Sequence, residues 1–253
     1  MPNHVTNRII ITGPREARLA FKRGFLKEIR EKGSDGQEIL SAEFDFERIV
    51  PMPDLIRATE SSTDVAMGLV LLGRVDISES FFLPGKTLES EIAQYLSYPH
   101  VKAAGVSDYA GLKAWIREVA PDCEEKARAA IRAKEKHGHS SWYSWSLDHW
   151  GTKWNAYHFR LIAEDDDHLD FSFDTAWSPP EPIFAALANR PECADLSISI
   201  RSFDEGWLFA FAGVISRGQY LGAEAAPTPA FYKEVYGISC NDADEDDGGA
   251  AGA

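Results

Sequence analysis

The chain has 253 residues, a net charge of −14 and a hydrophobic fraction of 44%. It has no apolar run long enough to span a bilayer, no basic segment followed by the apolar stretch of a secretory signal, and no cysteine pattern typical of a disulfide framework. We therefore expect a cytoplasmic protein without a membrane segment, and the acidic charge disfavours ordinary nucleic-acid binding, which needs clustered Lys and Arg.

The opening has the pattern of a strand, a helix and a second strand. A β-branched run at residues 8–12 stops at a Gly-Pro turn, and Pro14 suits the start of a helix. Apolar residues up to Leu26 and Ile29 fall at helical spacing, which predicts a helix ending near the glycines at 33–36. Alternating phenylalanines and acids then predict a half-buried strand over residues 42–50.

The middle of the chain has mostly helical patterns. Helices are predicted over residues 64–72, 87–96, 107–119 and 124–136, and Ser107 is a suitable cap for the third of them. The segment at 138–141 would lead back to the sheet. This region reads as a helical insertion between strands.

The last third returns to strand patterns. Residues 157–162 and 169–173 flank an acidic turn and predict a hairpin. A helix should follow the prolines at 179–182, then strands at 196–200 and 207–216, and a final helix is expected between Pro229 and Tyr236.

This element order predicts an α+β protein with a ferredoxin-like antiparallel sheet and a mainly helical insertion. The expected organisation is a first part of the core at 1–53 (β-α-β), the insertion at 54–142, a second part of the core at 143–222 (β-β-α-β-β), a C-terminal helix at 223–240 and an acidic disordered tail at 241–253.

Two long motifs resemble a known family. Tyr-Ser-Trp at 143–145 is followed by Trp-Gly-Thr-Lys-Trp-Asn at 150–155, and Phe-Asp-Thr-Ala-Trp-Ser-Pro-Pro-Glu stands at 173–181. These stretches resemble the YubB family of plasmid- and phage-encoded proteins, whose ferredoxin-like domain has no known function. The similarity covers about residues 143 to 215, with a looser match in the first fifty residues, where His4 replaces the usual Trp. The resemblance implies the fold and a link to a mobile genetic element, but no reaction.

The tryptophan-rich segment is the first candidate site. Five of the seven tryptophans lie between residues 142 and 177. They could form an aromatic surface that stacks a base or grips a partner's side chain. The alternative is structural, with the rings wedging the insertion against the sheet, and large aromatics more often have that role. The candidate binding residues are Trp145, Trp150, Lys153, Trp154, Asn155, Asp174 and Trp177.

Asp174 could also act as a catalytic acid or base, with Glu181 or Glu47 as a second carboxylate. The structural alternative is helix capping by Thr175 or Ser178. Nothing in the sequence fixes a carboxylate pair, so no catalytic residue is assigned.

Other chemistries find no motif. The histidines at 137, 139, 149 and 158 match no zinc signature, and the sequence lacks a Walker A loop, a G-x-G-x-x-G loop and a G-x-S-x-G elbow. We therefore expect no metal and no cofactor.

The sequence leaves two main functional hypotheses. The first is a non-enzymatic interaction protein of a mobile genetic element that binds a host or element protein, with inhibition of a host defence complex as one version. The second is a nucleic-acid-binding or processing module that uses aromatics on the sheet. An uncharacterised hydrolase or transferase is a third, weaker alternative.

Overall fold

We analysed a computed structural model that describes residues 3–32, 38–77 and 87–240. The chain divides into two compact units. The sheet unit comprises Met1–Pro51 and Leu147–Ala253, and the helical unit comprises Met52–Ser146. No helix within the described ranges is both long and apolar enough to cross a membrane.

The elements follow in chain order. The opening contains β1 (His4–Thr12), α1 (Arg15–Phe25), β2 (Leu26–Lys32), β3 (Glu38–Phe44) and a 3-10 turn at Phe46–Arg48. The middle contains α2 (Asp54–Arg57), α3 (Thr63–Leu72), a 3-10 turn at Val75–Ile77, α4 (Leu88–Ser97), α5 (Pro99–Ala103), α6 (Tyr109–Val119), α7 (Cys123–His137) and α8 (Trp142–His149). The last part contains β4 (Tyr157–Glu164), β5 (His168–Ala176), α9 (Glu181–Ala188), a 3-10 turn at Pro191–Cys193, β6 (Ser197–Asp204), β7 (Ala210–Ser216), β8 (Gln219–Ala225) and α10 (Pro229–Tyr236).

Six strands form one antiparallel sheet in the order β4-β5-β1-β6-β7-β8. The first strand of the chain is central: β1 pairs with β5 from His4 opposite Ala176 to Thr12 opposite His168, and with β6 on its other side. Strands β2 and β3 form a separate two-stranded sheet. The predicted α+β class with an antiparallel sheet is confirmed.

One face of the large sheet carries the core. Because successive side chains of a strand point to opposite faces, Val5, Ile9 and Ile11 line one side of β1 and are buried. Phe171 and Phe173 of β5 lie on the same side and contact other fully buried rings of this core, which include Phe21, Phe44 and Phe46.

The opposite, outer face of the sheet is polar and partly covered by α10. Arg8 and Arg201 lie on this face, paired across β1 and β6. The Arg8 guanidinium binds Asp170 at 2.7 Å and donates to the carbonyl of Glu234, and Arg201 binds the carboxylate of Glu234 at 2.8 Å. These contacts fix α10 on the outer face, where its Tyr232, Tyr236 and Val235 pack around Phe203.

The helical unit packs around the crossing of α3 and α7. Gly68 of α3 lies so close to α7 that a Cβ atom there would be 2.0 Å from the carbonyl oxygen of Cys123. Helix α6 adds Leu112 and Ile116 to the core. Asp108 caps α6 by accepting from Gly111 N, so the predicted cap at Ser107 is wrong by one residue.

Two predicted elements of the opening differ from the structure. Helix α1 ends at Phe25, and the residues expected to continue it form β2, because their backbone groups pair with β3 over seven residue pairs. The strand expected at 42–50 is β3, which begins at Glu38 and is followed by a 3-10 turn. The opening is therefore β-α-β-β, and β2 and β3 lie outside the large sheet.

Helices α2, α5 and α8 and strand β8 had no counterpart in the prediction. Helix α8 occupies Trp142–His149, directly after the loop expected at 138–141. Strand β8 adds Gln219–Ala225 to the edge of the sheet. The predicted hairpin of β4 and β5 and the final helix α10 are confirmed. The expected disordered tail, 241–253, lies outside the described residues.

Candidate functional site

The strand register gathers several loops at one end of the large sheet. This end contains the starts of β1, β4 and β7 and the ends of β5 and β6. Two backbone hydrogen bonds hold the loops to the start of β1: Trp177 N donates to Asn3 O at 2.9 Å, and Glu205 N donates to His4 O at 3.0 Å. Residues far apart in sequence therefore meet at one surface.

Large apolar side chains are exposed at this end. The tryptophans at 154, 177 and 207 are 39%, 37% and 39% exposed, and Leu208 is 73% exposed. Exposed groups of large aromatic side chains often mark interaction sites. We name this surface the aromatic rim, which consists of Trp154, Tyr157, Trp177, Trp207 and Leu208.

A lysine lies between two rings of the aromatic rim. The Nζ atom of Lys153 is 4.5 Å from the centroid of the Trp154 ring and 5.2 Å from that of Trp177. Both distances suit a cation–π interaction. The rim can therefore hold an ammonium group against two indoles, and Lys153 shows the arrangement within the chain itself.

Three residues at this end have the left-handed backbone conformation that favours glycine. The φ angles are 75° at Trp177, 59° at Trp207 and 52° at His158. Such a conformation costs of the order of 1–3 kcal/mol for a non-glycine residue and often marks a functional site. The backbone N–H of Trp207 donates a hydrogen bond to Asp204 O at 2.9 Å, which stabilises the turn between β6 and β7.

Asp174 is a buried anchor next to the aromatic rim. Its Oδ1 accepts from the Thr6 hydroxyl at 2.8 Å, and its Oδ2 lies 3.0 Å from Nδ1 of His158. Nearby, Nδ1 of His4 is 2.6 Å from the Tyr157 hydroxyl. The histidine rings are 6.4 Å apart between centroids.

One of the two possible partners of Asp174 in a carboxylate pair is bound to a residue of β8. Glu181 accepts from the Tyr220 hydroxyl at 3.3 Å. The alternative of capping is wrong for α9, since no side chain caps this helix. Thr175 instead donates to Ser178 O, and Ser178 donates to Gly151 O.

The electrostatic environment of the rim is acidic. Burial, followed by the negative charges of Asp174 and Glu205, raises the pKa of Tyr157 to about 12. The pKa of Tyr236 is also raised, mainly by burial, with Asp174 and Glu205 contributing. Two tyrosines on different elements thus experience the same two carboxylates, Asp174 and Glu205.

The other candidate residues are two buried tryptophans and a half-buried asparagine with structural contacts. Trp145 and Trp150 are 3% and 5% exposed and cannot belong to an open surface. The Trp150 indole donates to Val50 O at 2.9 Å. Asn155 joins its segment to the start of the 3-10 turn after β3: its Oδ1 accepts from Phe46 N, and its Nδ2 donates to Asp45 at 2.9 Å.

Gly151 explains part of the tryptophan motif. Its φ is 75°, and a Cβ atom there would lie 2.6 Å from Pro182 Cδ. Next to it, the Thr152 hydroxyl donates to Ala176 O at 2.8 Å. Much of the Trp-Gly-Thr-Lys-Trp-Asn motif therefore ties its segment to the end of β5, while Lys153 and Trp154 face outward.

Sequence reasoning missed several residues of this surface. His4, Tyr157 and His158 carry no motif, and Trp207 and Leu208 were expected to begin a strand. One signal was available in the sequence. The turn Asp-Glu-Gly at 204–206 is followed by two adjacent apolar residues, Trp207 and Leu208, whereas a half-buried strand alternates apolar and polar residues.

One comparison with known proteins concerns the segment that contains Trp154, Tyr157 and Trp177 of the aromatic rim. Residues 149–194 match the family model described as the ferredoxin-like domain in Api92-like protein. No curated protein matches the chain. A solved structure of the protein api92 from Yersinia pseudotuberculosis has 14% sequence identity and a TM-score of 0.41, and the alignment covers 90% of this chain and 100% of that one. The resemblance to the YubB family stays a prediction. A ferredoxin-like domain similar to that of Api92-like proteins is therefore found in this chain at residues 149–194.

Proposed function

We propose that this chain is a non-enzymatic interaction protein that binds another protein through the aromatic rim. The observation that carries the proposal is the exposure of three tryptophans, each by more than a third, at one end of a sheet. Tryptophan is enriched among the residues that dominate binding energy in protein interfaces. The strained backbone at Trp177 and Trp207 supports a functional reason for presenting these rings.

The chemistry of the rim favours a partner with exposed Lys or Arg side chains. Asp174 and Glu205 make this end acidic, and Trp154 and Trp177 already accommodate an ammonium group. A Lys or Arg side chain of the partner that displaces Lys153 from between the two indoles would gain the same cation–π contacts and the attraction of the carboxylates. The net charge of −14 would also steer a basic partner toward the chain.

Nucleic-acid binding is the second candidate function. Lys153 between two indoles is an arrangement that could stack a base and contact a phosphate. The carboxylates that raise the pKa of Tyr157 would repel that phosphate. For this reason we place protein binding first.

A more specific proposal concerns the biological setting. On its resemblance to the YubB family, we propose that the chain serves a mobile genetic element and that its partner belongs to a host defence complex, which it inhibits. One mode of inhibition would be a row of free carboxylates that imitates the phosphates of a nucleic acid. On the outer face, Asp170 is paired with Arg8 and Asp174 with His158, so these two carboxylates do not form such a row. Binding through the rim is therefore the preferred mode of inhibition.

Pull-down with matched variants tests the protein-binding proposal. The tagged chain would be incubated with lysate of a bacterium that carries the gene, with and without nuclease. The rim variant W154A–W177A would be compared with L161A–I162A, whose side chains are 52% and 46% exposed in β4. Circular dichroism would establish that both variants are folded.

We expect the wild type and L161A–I162A to retain a stoichiometric protein partner after nuclease treatment. The amount of this partner recovered with W154A–W177A should be lower by at least about tenfold. Equal retention by the folded rim variant would contradict the role of the rim. Loss of all partners on nuclease treatment would favour the nucleic-acid alternative.

A further inference from the structure

Strand β8 is an open edge of the large sheet. It pairs with β7 in an unbroken register from Ser216 opposite Gln219 to Ala210 opposite Ala225. Among the described residues, no strand pairs with its other side. Most of its residues are exposed, and Leu221 is 68% exposed.

The turn before β8 fixes which backbone groups face outward. Arg217 and Gly218 have φ angles of 52° and 73°, as in the two-residue turn typical of hairpins, so Ser216 and Gln219 form the first hydrogen-bonded pair. Hydrogen-bonded and non-hydrogen-bonded pairs alternate along an antiparallel ladder. The N–H and C=O groups of Tyr220, Gly222 and Glu224 therefore point away from β7.

The two edges of the sheet differ in how they are protected. Strand β4, at the other edge, has two register shifts and contains His158 in the left-handed conformation. Such irregularities discourage pairing with another strand. Strand β8 has a regular register and contains no Lys, Arg or Pro, and Leu221 lies opposite Val214, which is 39% exposed.

The sequence of β8 is complementary to itself in an antiparallel arrangement. If Gly222 lies opposite Gly222 of a second copy, Tyr220 lies opposite Glu224 of that copy, and the Tyr220 hydroxyl keeps its hydrogen bond to Glu181 of its own chain. Leu221 then lies opposite Ala223 on the outer face. No two like charges face each other in this register.

We propose that two copies of the chain associate through β8, with Gly222 at the two-fold axis, and form one continuous sheet. Each facing pair among Tyr220, Gly222 and Glu224 exchanges two backbone hydrogen bonds. The association places Ala223 of the second copy beside Leu221, which a single copy leaves 68% exposed. Because an edge contact alone buries a modest area, the dimer should dissociate on dilution.

Sedimentation equilibrium of the full chain tests the dimer. The wild type should show a mass that rises with concentration from 28.1 kDa toward twice that value. In the variant L221K–A223K, the lysine at 221 of one copy would lie opposite the lysine at 223 of the other, so this variant should remain monomeric. The control L161K–I162K adds the same charge at the other edge and should behave as the wild type. A monomeric wild type, or a folded L221K–A223K that still dimerises, would overturn the proposal.

Disulfide formation between mixed variants tests the register. Cys123 and Cys193 are buried, and Cys240, which is partly exposed, would be replaced by Ser. Residues 221 and 223 of the two copies form a non-hydrogen-bonded pair, whose short separation suits a disulfide. We expect oxidation to link L221C to A223C in a mixture and to link neither variant to itself. Equal yields of all products, or no link, would overturn this register.

Discussion

The buried carboxylate of Asp174 lies 3.0 Å from the imidazole Nδ1 of His158, and the two side chains differ sharply in exposure, at 10% and 69%. Asp174 is also bound to the Thr6 hydroxyl of the neighbouring strand. The carboxylate therefore belongs to the framework of the sheet, and the histidine is the group that it presents to solvent beside the aromatic rim.

Asp174→Ala should lower the free energy of unfolding by about 1–3 kcal/mol, because it removes the acceptor for the buried Thr6 hydroxyl. His158→Ala should cost less than about 1 kcal/mol, since its side chain is largely solvated. Urea denaturation measures both. A larger loss for His158→Ala than for Asp174→Ala would contradict this assignment.

Trp150→Phe should destabilise the protein by about 1–3 kcal/mol. The change removes the indole N–H that binds Val50 O and leaves that carbonyl unsatisfied beside a buried ring. Trp154→Phe is the matched control, because its ring is 39% exposed, and it should change the stability by less than about 0.5 kcal/mol. Thermal and urea unfolding would measure the loss of stability in each variant. Similar losses in the two variants would contradict the structural role of Trp150.

Alkaline pH should destabilise the sheet unit through Cys193. Burial, with a smaller contribution from Glu192, raises the pKa of this thiol from 9.0 to about 12. The unfolded chain therefore loses this proton at lower pH than the folded chain, so the contribution of Cys193 to stability is complete below pH 9.0 and is lost as the pH rises toward about 12.

The measurement is the free energy of unfolding across that pH range. Cys193→Ala should make its decline with pH shallower. Cys240→Ser, which changes the only cysteine that is not buried, should leave the decline unchanged. If the free energy of unfolding of Cys193→Ala falls with pH as steeply as that of the wild type, other groups, such as Tyr157, dominate the loss of stability at alkaline pH.

Gly68→Ala should destabilise the helical unit by about 1–3 kcal/mol or more, because the added methyl group would overlap the backbone of α7 at Cys123. Gly24→Ala, in α1, is a suitable control. The nearest atoms to its added Cβ would be 3.8 Å away, so the better helix propensity of Ala should stabilise by about 0.5–1 kcal/mol. A neutral Gly68→Ala would mean that α3 and α7 can move apart at little cost.

The elements predicted correctly are those whose local sequence pattern matches the structure that they adopt in the fold. Helix α10 begins at a Pro and carries its apolar residues at helical spacing, and the β4–β5 hairpin alternates around an acidic turn. Strand β2 was read as helix because Leu26 and Ile29 continue the spacing of α1. Its pairing with β3 overrides that local preference, and no property of either segment alone reveals it.

The candidate site was predictable only in part. The motif drew attention to Trp150 and Trp154, but two identical side chains four residues apart differ in burial because of Gly151 and the contacts of Asn155. Trp207 reaches the same surface through the register of β6 with β1 and of β7 with β6, which sequence spacing does not encode.

The central position of β1 has a consequence for folding during synthesis. Its neighbours in the sheet are β5 and β6, so the strand has no partner until residues 168–204 have left the ribosome. Until then its apolar run at Ile9–Ile11 is available to other chains or to chaperones, whereas the helices between residues 54 and 137 can form from local contacts as they emerge. Ribosome-bound chains cut short before residue 168 should therefore bind chaperones through their first strand.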